Sequence, residues 1–428
     1  MAESTRMRNG MRMRWAWMMV AGVVAVHAGA GPAGAQGVLD SLIAGNVHPL
    51  RVEADGRLAG PGAEVIGRAA RGAHFVAVGE NHNTRAIPDF TVALFRMLHE
   101  REGFDYLALE EGPEIGRLLS RAVRGGGPDG AFRLGLRYPS AFHMYTEEEL
   151  RMIDRIAAVS TAPADPVWGL NQEFAAAHVL ERLVALAPDA AARTVAQAQH
   201  RQALEYEAER YAQNVSYLSA VATPASFQAL REAFCPEPGS ETDGLIGQLA
   251  LSHQVWSPYN TTPSPSFAAF HESGWLREQN MKTLFATAYR AAQAATGRAP
   301  RVLVKSGHVH LNRGIGLNNE VFTLGNFLSE LATFQGGHSL HLYVVLNWPD
   351  LPESFLAPFV KHVPVGQDVL FDLRPLQPWT AHGQIPQLDA RLRRVLMGYD
   401  ALIILRDTTR GSVEALRTPR FRPYLEGN

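Results

Sequence analysis

The stretch that decides the fold of this 428-residue chain is His74-Phe75-Val76-Ala77-Val78-Gly79-Glu80-Asn81-His82. Its apolar run is typical of a strand that is buried on both faces of a parallel sheet. Gly79 allows a sharp turn where the strand ends, and Glu80 and His82 follow directly. Open α/β sheets keep their ligand crevices at the carboxyl ends of their strands. This carboxylate and imidazole are therefore candidates for acid–base chemistry or metal binding.

A second stretch of the same design follows, DYLALEEGP at residues 105–113. It is again an apolar run that ends in acidic residues, Glu110 and Glu111. Helices are predicted between the two strands, from Pro88 to about Glu100, and after the second strand, from Pro113 to about Arg124. The order indicates a βαβ unit in which Glu80 and Glu110 end adjacent parallel strands.

The third stretch lies far downstream, RVLVKSGHVHLNRG at residues 301–314. It reads as a strand leading to His308 and His310, with Lys305 and Arg313 on either side. Two histidines that are separated by one intervening residue on an extended segment point their rings to the same face. That spacing suits metal ligands, and it also suits a base beside an electrophile. Because all three strands end in the same chemistry, we expect them to build one site.

The rest of the chain keeps an α/β order. Pro166 to Glu173 reads as a third strand of the first half, with Asn171 at its carboxyl end. We predict an α/β domain over 36–428, with a mostly parallel central sheet flanked by helices. A large helical insertion at about 173–252 would cover the crevice, and a lid loop carrying Tyr259 would follow at about 252–273. Length alone would also allow two domains.

A further helix is predicted from Trp275 to about Thr296. Arg277 lies four residues before Met281 of its buried stripe, so its side chain can point inward. An inward arginine needs a carboxylate partner, and Glu80 or Glu110 would serve. Two close acids cannot both stay ionised cheaply without a cation, so we expect Arg277 or a metal between them. The alternative is an exposed arginine at the helix start.

Composition and charge exclude some classes of function. Hydrophobic residues make up 46% of the chain, charged residues 19%, and the net charge is −2. This is the composition of an ordinary globular protein without the basic surface that nucleic acid requires. The single cysteine, Cys235, excludes an internal disulfide.

The amino-terminal segment predicts export. Four arginines precede an apolar stretch from Trp15 to Val26, and a small-residue cleavage pattern follows at Ala33-Gly34-Ala35. The apolar stretch is too short to span a bilayer comfortably. We expect residues 1–35 to be a signal peptide and the mature chain to be periplasmic or secreted, with no membrane anchor.

Several of these pieces resemble a known family. The chain looks like the erythromycin-esterase-like hydrolases, in a superfamily that also holds Tiki-type metalloproteases and haem-binding bacterial lipoproteins. The matching pieces, in family order, are Val78 to His82, Ala108 to Glu110, Trp275 to Met281, Lys305 to His310, and Tyr399 to Ile404. The resemblance implies a crevice in which a carboxylate and histidines activate water for hydrolysis.

Carried over residue by residue, the resemblance assigns a role to each matching position. Glu80 and His82 match the first acidic–histidine motif, Glu110 the acid after the second strand, and the downstream histidine is His308 or His310. Arg277 and Glu278 match the helix pair. The chain departs from the esterases in two places: only Asn81 separates Glu80 from His82, where they have two residues, and Asn171 replaces an aspartate. These departures argue against a macrolide ester as the substrate.

Three classes of function follow. We favour an ester or lactone hydrolase that uses histidine as a general base and acts on a small molecule. A metal-dependent, peptidase-like hydrolase would hold a divalent ion between Glu80, His82, Glu110 and His310. A ligand-binding protein, for instance for haem, is the third class. The predicted catalytic residues are Glu80, His82, Glu110, Arg277, His308 and His310, and the predicted substrate contacts are Glu111, Asn171, Glu278, Lys305 and Tyr259. No cofactor is assigned.

Overall fold

A mostly parallel sheet of nine strands forms the centre of the computed structural model, which describes residues 32–125, 127–163, 165–210, 217–260, 266–318, 320–385 and 387–413. The strands lie in the order β2-β1-β8-β9-β7-β3-β6-β4-β5. The six from β9 to β5 are parallel, and β8, β1 and β2 extend the sheet antiparallel. The strands are β1 (Val47–Val52), β2 (Leu58–Ala59), β3 (Ala73–Glu80), β4 (Tyr106–Leu109), β5 (Val167–Gly169), β6 (Val302–Gly307), β7 (His338–Leu346), β8 (Asp368–Asp372) and β9 (Ala401–Leu405).

Seventeen helices in the described ranges accompany the sheet. In chain order they are α1 (Pro32–Gly45), α2 (Pro61–Ala69), α3 (Ala86–Glu102), α4 (Pro113–Gly125), α5 (Gly130–Arg137), α6 (Glu147–Ala157), α7 (Ala177–Leu186), α8 (Ala190–Arg210), α9 (Tyr217–Ala220), α10 (Pro224–Phe234), α11 (Glu241–Trp256), α12 (Phe267–Thr296), α13 (His308–Leu311), α14 (Leu324–Phe334), α15 (Ala357–Val360), α16 (Gln377–Ala381) and α17 (Ala390–Gly398). The predicted α/β class is confirmed.

Strand β3 is buried on both faces, which explains its continuous apolar sequence. Val76 and Val78 belong to the core that includes the apolar face of α3, whereas Phe75 and Ala77 belong to the core that includes α12. This alternation follows from the two-residue period of a strand. The sheet therefore holds the end of β3, with Glu80, between two packed layers.

The strand order corrects the prediction that Glu80 and Glu110 end adjacent strands. Strand β6 pairs with both β3 and β4 and lies between them. The crossover through α3 skips one place in the sheet, and a strand more than 190 residues downstream in the sequence fills it. As a result, the carboxyl ends of β3, β6 and β4 stand side by side, and their polar residues meet there.

Helices α7 to α11 pack around an apolar cluster of their own, which includes Leu180, Leu230 and Leu249. The expected lid loop at 252–273 differs from the structure, because α11 continues to Trp256, a 3₁₀ turn covers Ser257–Asn260, and α12 begins at Phe267. Ser266 caps α12 by accepting a hydrogen bond from the amide of Ala269, and residues 261–265 of the expected loop lie outside the described residues.

Residues 1–31, which hold most of the expected signal peptide, lie outside the described residues, and α1 begins at Pro32, beside the expected cleavage site. Export therefore stays a prediction. Within the described ranges, no helix combines the length and the apolar character that a membrane crossing requires.

Close packing of α4 on β5 depends on Gly116. A Cβ atom at this position would lie 2.2 Å from the backbone nitrogen of Gly169. We expect Gly116→Ala to lower the free energy of unfolding by about 1–3 kcal/mol or more, because backbone cannot move aside easily. Gly125→Ala in the same helix meets open space and is the matched control. Urea unfolding of both variants tests this, and equal stabilities would contradict the close approach.

Candidate active site

A single buried carboxylate, Glu110, lies at the centre of the site. Its Oε2 accepts hydrogen bonds from Ser306 Oγ and the amide of Gly307, both at 2.6 Å, and its Oε1 accepts one from Arg277 Nη2 at 2.5 Å. Burial would raise the pKa of Glu110, but the surrounding histidines and Arg277 outweigh burial and hold it well below its ordinary range. Glu110 is therefore a fixed negative charge at neutral pH.

Three imidazole rings direct their Nε2 atoms at this carboxylate. His82 Nε2 lies 3.5 Å from Glu110 Oε2, while His143 and His310 Nε2 lie 3.3 and 3.5 Å from Oε1. The rings of His82 and His143 also contact each other edge to face, with centroids 4.8 Å apart. The site thus combines one fixed anion with three potential bases or hydrogen-bond donors.

Two of these histidines are each held by a glutamate of their own. His82 Nδ1 lies 3.1 Å from Glu80 Oε1, and His310 Nδ1 lies 2.5 Å from Glu278 Oε1. When a carboxylate accepts a hydrogen bond from Nδ1–H, the ring keeps its proton on Nδ1, and Nε2 is the basic nitrogen. The side chain of His82 is 26% exposed and that of His310 only 3%, so water reaches His82 more readily.

Lys305 neutralises Glu80 from inside the protein. Its Nζ donates to Glu80 Oε1 at 2.6 Å and to both carboxylate oxygens of Glu149, at 2.8 and 2.9 Å. Burial would raise the pKa of Glu80, but Lys305 and His82 outweigh it and lower that pKa. Burial also raises the pKa of Glu149, to about 7. Lys305 is fully buried, so its predicted role as a substrate contact does not fit its position.

His143 was not among the predicted site residues. It lies in the loop between a short 3₁₀ turn and α6. The carboxylate of Glu111 accepts hydrogen bonds from the backbone amides of His143, at 2.9 Å, and Met144, at 3.1 Å. Burial raises the pKa of Glu111 to about 8 and lowers that of His143 to about 4. Glu111 therefore positions the loop rather than a substrate. No spacing pattern marks His143, because tertiary contacts alone bring this loop to Glu110.

Arg277 reaches the site from α12, as its inward position predicts. Besides Glu110, its Nε donates to Asn171 Oδ1 at 3.0 Å, and its guanidinium lies 6.0 Å from the ring centroid of Trp256. Asn171 is fully buried and therefore orients Arg277. Glu278 orients His310 in the same way. Its Oε1 contacts His310 Nδ1, and its Oε2 accepts a hydrogen bond from the amide of Leu324. Arg277 neutralises Glu110, whereas Lys305 neutralises Glu80.

The structure separates the two downstream histidines. The strand ends at Gly307 and the short helix α13 begins at His308, so the segment is not extended and the rings do not share a face. His308 stacks on Tyr343 with centroids 4.8 Å apart, and its Nδ1 contacts the backbone oxygen of Glu80. Only His310 turns toward Glu110.

A divalent ion would find ligands in part of this cluster. Single donor atoms of His82, Glu110 and His143 lie within 4.8 Å of one another. This set shares two residues with the predicted metal ligands and replaces Glu80 and His310 with His143. Arg277 already places a positive charge on Glu110, which disfavours a second cation there.

No protein-family description and no curated protein matches the chain. Solved structures do match. A succinoglycan biosynthesis protein is 15% identical with a TM-score of 0.56, covering 90% of this chain and 100% of its own. A protein from Bacillus cereus is 12% identical with a TM-score of 0.55, covering 89% and 99%. A mutant of erythromycin esterase EreC in its open conformation is 10% identical with a TM-score of 0.53, covering 82% and 95%. The chain therefore has the fold of erythromycin esterase, as the sequence resemblance predicted.

Proposed function

We propose that the protein hydrolyses a carboxylic ester or lactone, with His82 as the general base that activates water. The observation that carries this proposal is the anchoring of His82: its Nδ1 is held by Glu80, and its Nε2 stands beside Glu110 in a partly exposed position. The shared fold with an esterase supports a hydrolase. The histidine acts directly on water in this proposal, because Ser306 is buried and its hydroxyl is bound to Glu110.

The proposed reaction moves one proton through His82. Water attacks the carbonyl carbon and gives its proton to Nε2, and the charge of Glu110 stabilises the imidazolium that forms. Arg277 and His143 contact Oε1 of Glu110, the oxygen that does not face His82. In this proposal they donate hydrogen bonds to the developing oxyanion. When the tetrahedral intermediate collapses, the leaving alkoxide takes the proton from Nε2, which releases the acid and the alcohol.

Metal-dependent hydrolysis is the second candidate, since His82, Glu110 and His143 could share a divalent ion. In that case the ion, and not His82, would activate water, and a chelator would abolish turnover. The contact between Arg277 and Glu110 favours the first candidate.

The pH profile and a chelator together test the proposal. Burial lowers the pKa of His82, but the carboxylates of Glu110 and Glu80 outweigh burial and raise it above its ordinary value of 6.5. The basic form therefore predominates only above that raised pKa. We expect kcat/KM for a p-nitrophenyl ester to fall as the pH drops through it, and to be unchanged by EDTA. Loss of activity in EDTA, restored by a divalent ion, would replace this proposal with the metal-dependent one.

A further inference from the structure

A line of aromatic side chains leads from the site to the protein surface. Phe174, Trp256, Tyr259 and Phe270 form this aromatic strip. We propose that it binds the apolar part of the substrate, a flat ring or an extended apolar chain attached to the ester group. This inference rests on the proposed function and adds the substrate class to it.

Ring contacts are continuous along the strip. Phe174 stacks on His143 with centroids 4.3 Å apart, and Trp256 follows at 4.8 Å from Phe174. Tyr259 lies 5.9 Å from Trp256, and Phe270 lies 5.7 Å from Tyr259. The three separations between rings of the strip lie in the range of favourable aromatic pairs. The strip therefore starts on a histidine that contacts Glu110 and extends away from it.

The outer half of the strip is open to solvent. Tyr259 is 46% exposed and Phe270 is 36% exposed, whereas Phe174 is buried. Ten large apolar residues are exposed in the described ranges, and four of them lie between positions 259 and 275. Two of these four, Tyr259 and Phe270, belong to the strip, and the other two, Phe267 and Trp275, lie on α12 with Phe270. A purely structural cluster would bury these rings, and concentrated exposed apolar surface is typical of a binding site.

The helix α12 sets the length of the strip. Phe270 and Arg277 are seven residues apart, which is two turns, so they lie on the same face of α12 about 10 Å apart along its axis. Arg277 contacts Glu110, and its guanidinium faces the Trp256 ring. An ester held at the Glu110 cluster can therefore extend its apolar part about 10 Å before reaching Phe270.

The Trp256 ring is fixed in place before any ligand binds. Its Nε1 donates to the backbone oxygen of Glu173 at 3.1 Å, and the amide of Glu173 donates to Ser252 of the same helix. A fixed ring loses little freedom on binding, which favours affinity for a planar or extended apolar group.

The experiment compares two esters and two amides that differ only in a terminal ring. We expect the protein to hydrolyse p-nitrophenyl 4-phenylbutyrate with a kcat/KM about tenfold or more above that for p-nitrophenyl butyrate, because the ring is buried against the strip. Trp256→Ala should reduce that ratio about tenfold, and Tyr259→Ala should reduce it less. Calorimetry should show 4-phenylbutanamide binding to the protein but only weakly to Trp256→Ala, and butanamide binding to neither.

Matched variants keep the outcomes distinct. Trp256→Phe should retain the preference, because it keeps an aromatic ring, and Phe334→Ala should be unchanged, because Phe334 is exposed just before the amino end of β7. Equal ratios in the wild type and Trp256→Ala would overturn the strip while leaving the hydrolase intact. If neither ester is hydrolysed, the proposed function fails. The binding of 4-phenylbutanamide to the wild type and to Trp256→Ala then tests alone whether the strip binds an apolar ring.

Discussion

Replacing His82 with alanine is expected to lower kcat/KM for ester hydrolysis by about two to four orders of magnitude, the usual contribution of a general base. The imidazole is held on Glu80 and faces Glu110, and no other histidine of the cluster can take its place. His310 is buried and bound to Glu278, and burial lowers the pKa of His143 to about 4, which makes it a weak base. The measurement is steady-state kinetics on an activated ester.

A second readout separates catalysis from structure. Because the His82 side chain is partly exposed, its removal leaves a space that imidazole from solution can enter, and added imidazole should restore part of the rate. The matched control is His74→Ala, eight residues earlier, near the amino end of β3 and about 20 Å along the strand from Glu80. Near-normal turnover by folded His82→Ala would remove His82 from the mechanism, and an unfolded variant would mark it as structural.

Much of the fold is readable from local sequence, because buried parallel strands must be apolar and must end where the chain turns. The apolar run from Ala401 to Leu405 forms β9, and the predicted helices after the first two strands coincide with α3 and α4 to within a few residues. Thr146 also caps α6, as its spacing to Glu149 predicts. In each case the sequence pattern that predicts the strand or helix lies within that strand or helix and the residues at its two ends.

Strand order is not readable in this way. The insertion of β6 between β3 and β4 joins segments about 200 residues apart, and no local pattern specifies that pairing. The lid loop differs for another reason: Ser and Pro residues predict a loop by composition, but serine is also a preferred N-cap, and here Ser266 caps a 30-residue helix. Tertiary packing therefore selects the strand order, whereas the start of α12 follows a local capping signal that composition alone does not show.

The candidate site shows the same division. The structure brings Glu80, His82, Glu110 and Arg277 together, and the sequence singles these out because strand ends and a helix face mark them. It could not single out His143 or the buried partner of Lys305, since both depend on where α6 and its preceding loop pack. Glu149 is recognisable only as a helix-capping residue, yet its carboxylate binds Lys305.

Replacing Lys305 with methionine is expected to lower the free energy of unfolding by about 3–5 kcal/mol, because it leaves the buried Glu149 without a cation and Glu80 with His82 alone. Glu80 and Glu149 are almost fully buried and both contact Lys305 Nζ. Without the ammonium, burial raises the pKa of Glu149 further above its unfolded value, and the pKa of Glu80 rises from its lowered value. The loss should therefore be small below the unfolded pKa and should grow as the pH rises. Urea unfolding at pH 5 and pH 8 measures this difference.

The double variant Lys305→Met with Glu149→Gln tests the electrostatic cause of that loss. The glutamine removes one of the two stranded charges while keeping the size of the side chain, so the double variant should recover part of the stability at pH 8 and little at pH 5. Glu149→Gln alone should cost less than Lys305→Met, since Lys305 keeps its bond to Glu80. A loss that is equal at both pH values and unaffected by Glu149→Gln would mean that Lys305 stabilises the sheet through packing of its alkyl chain and not through its charge.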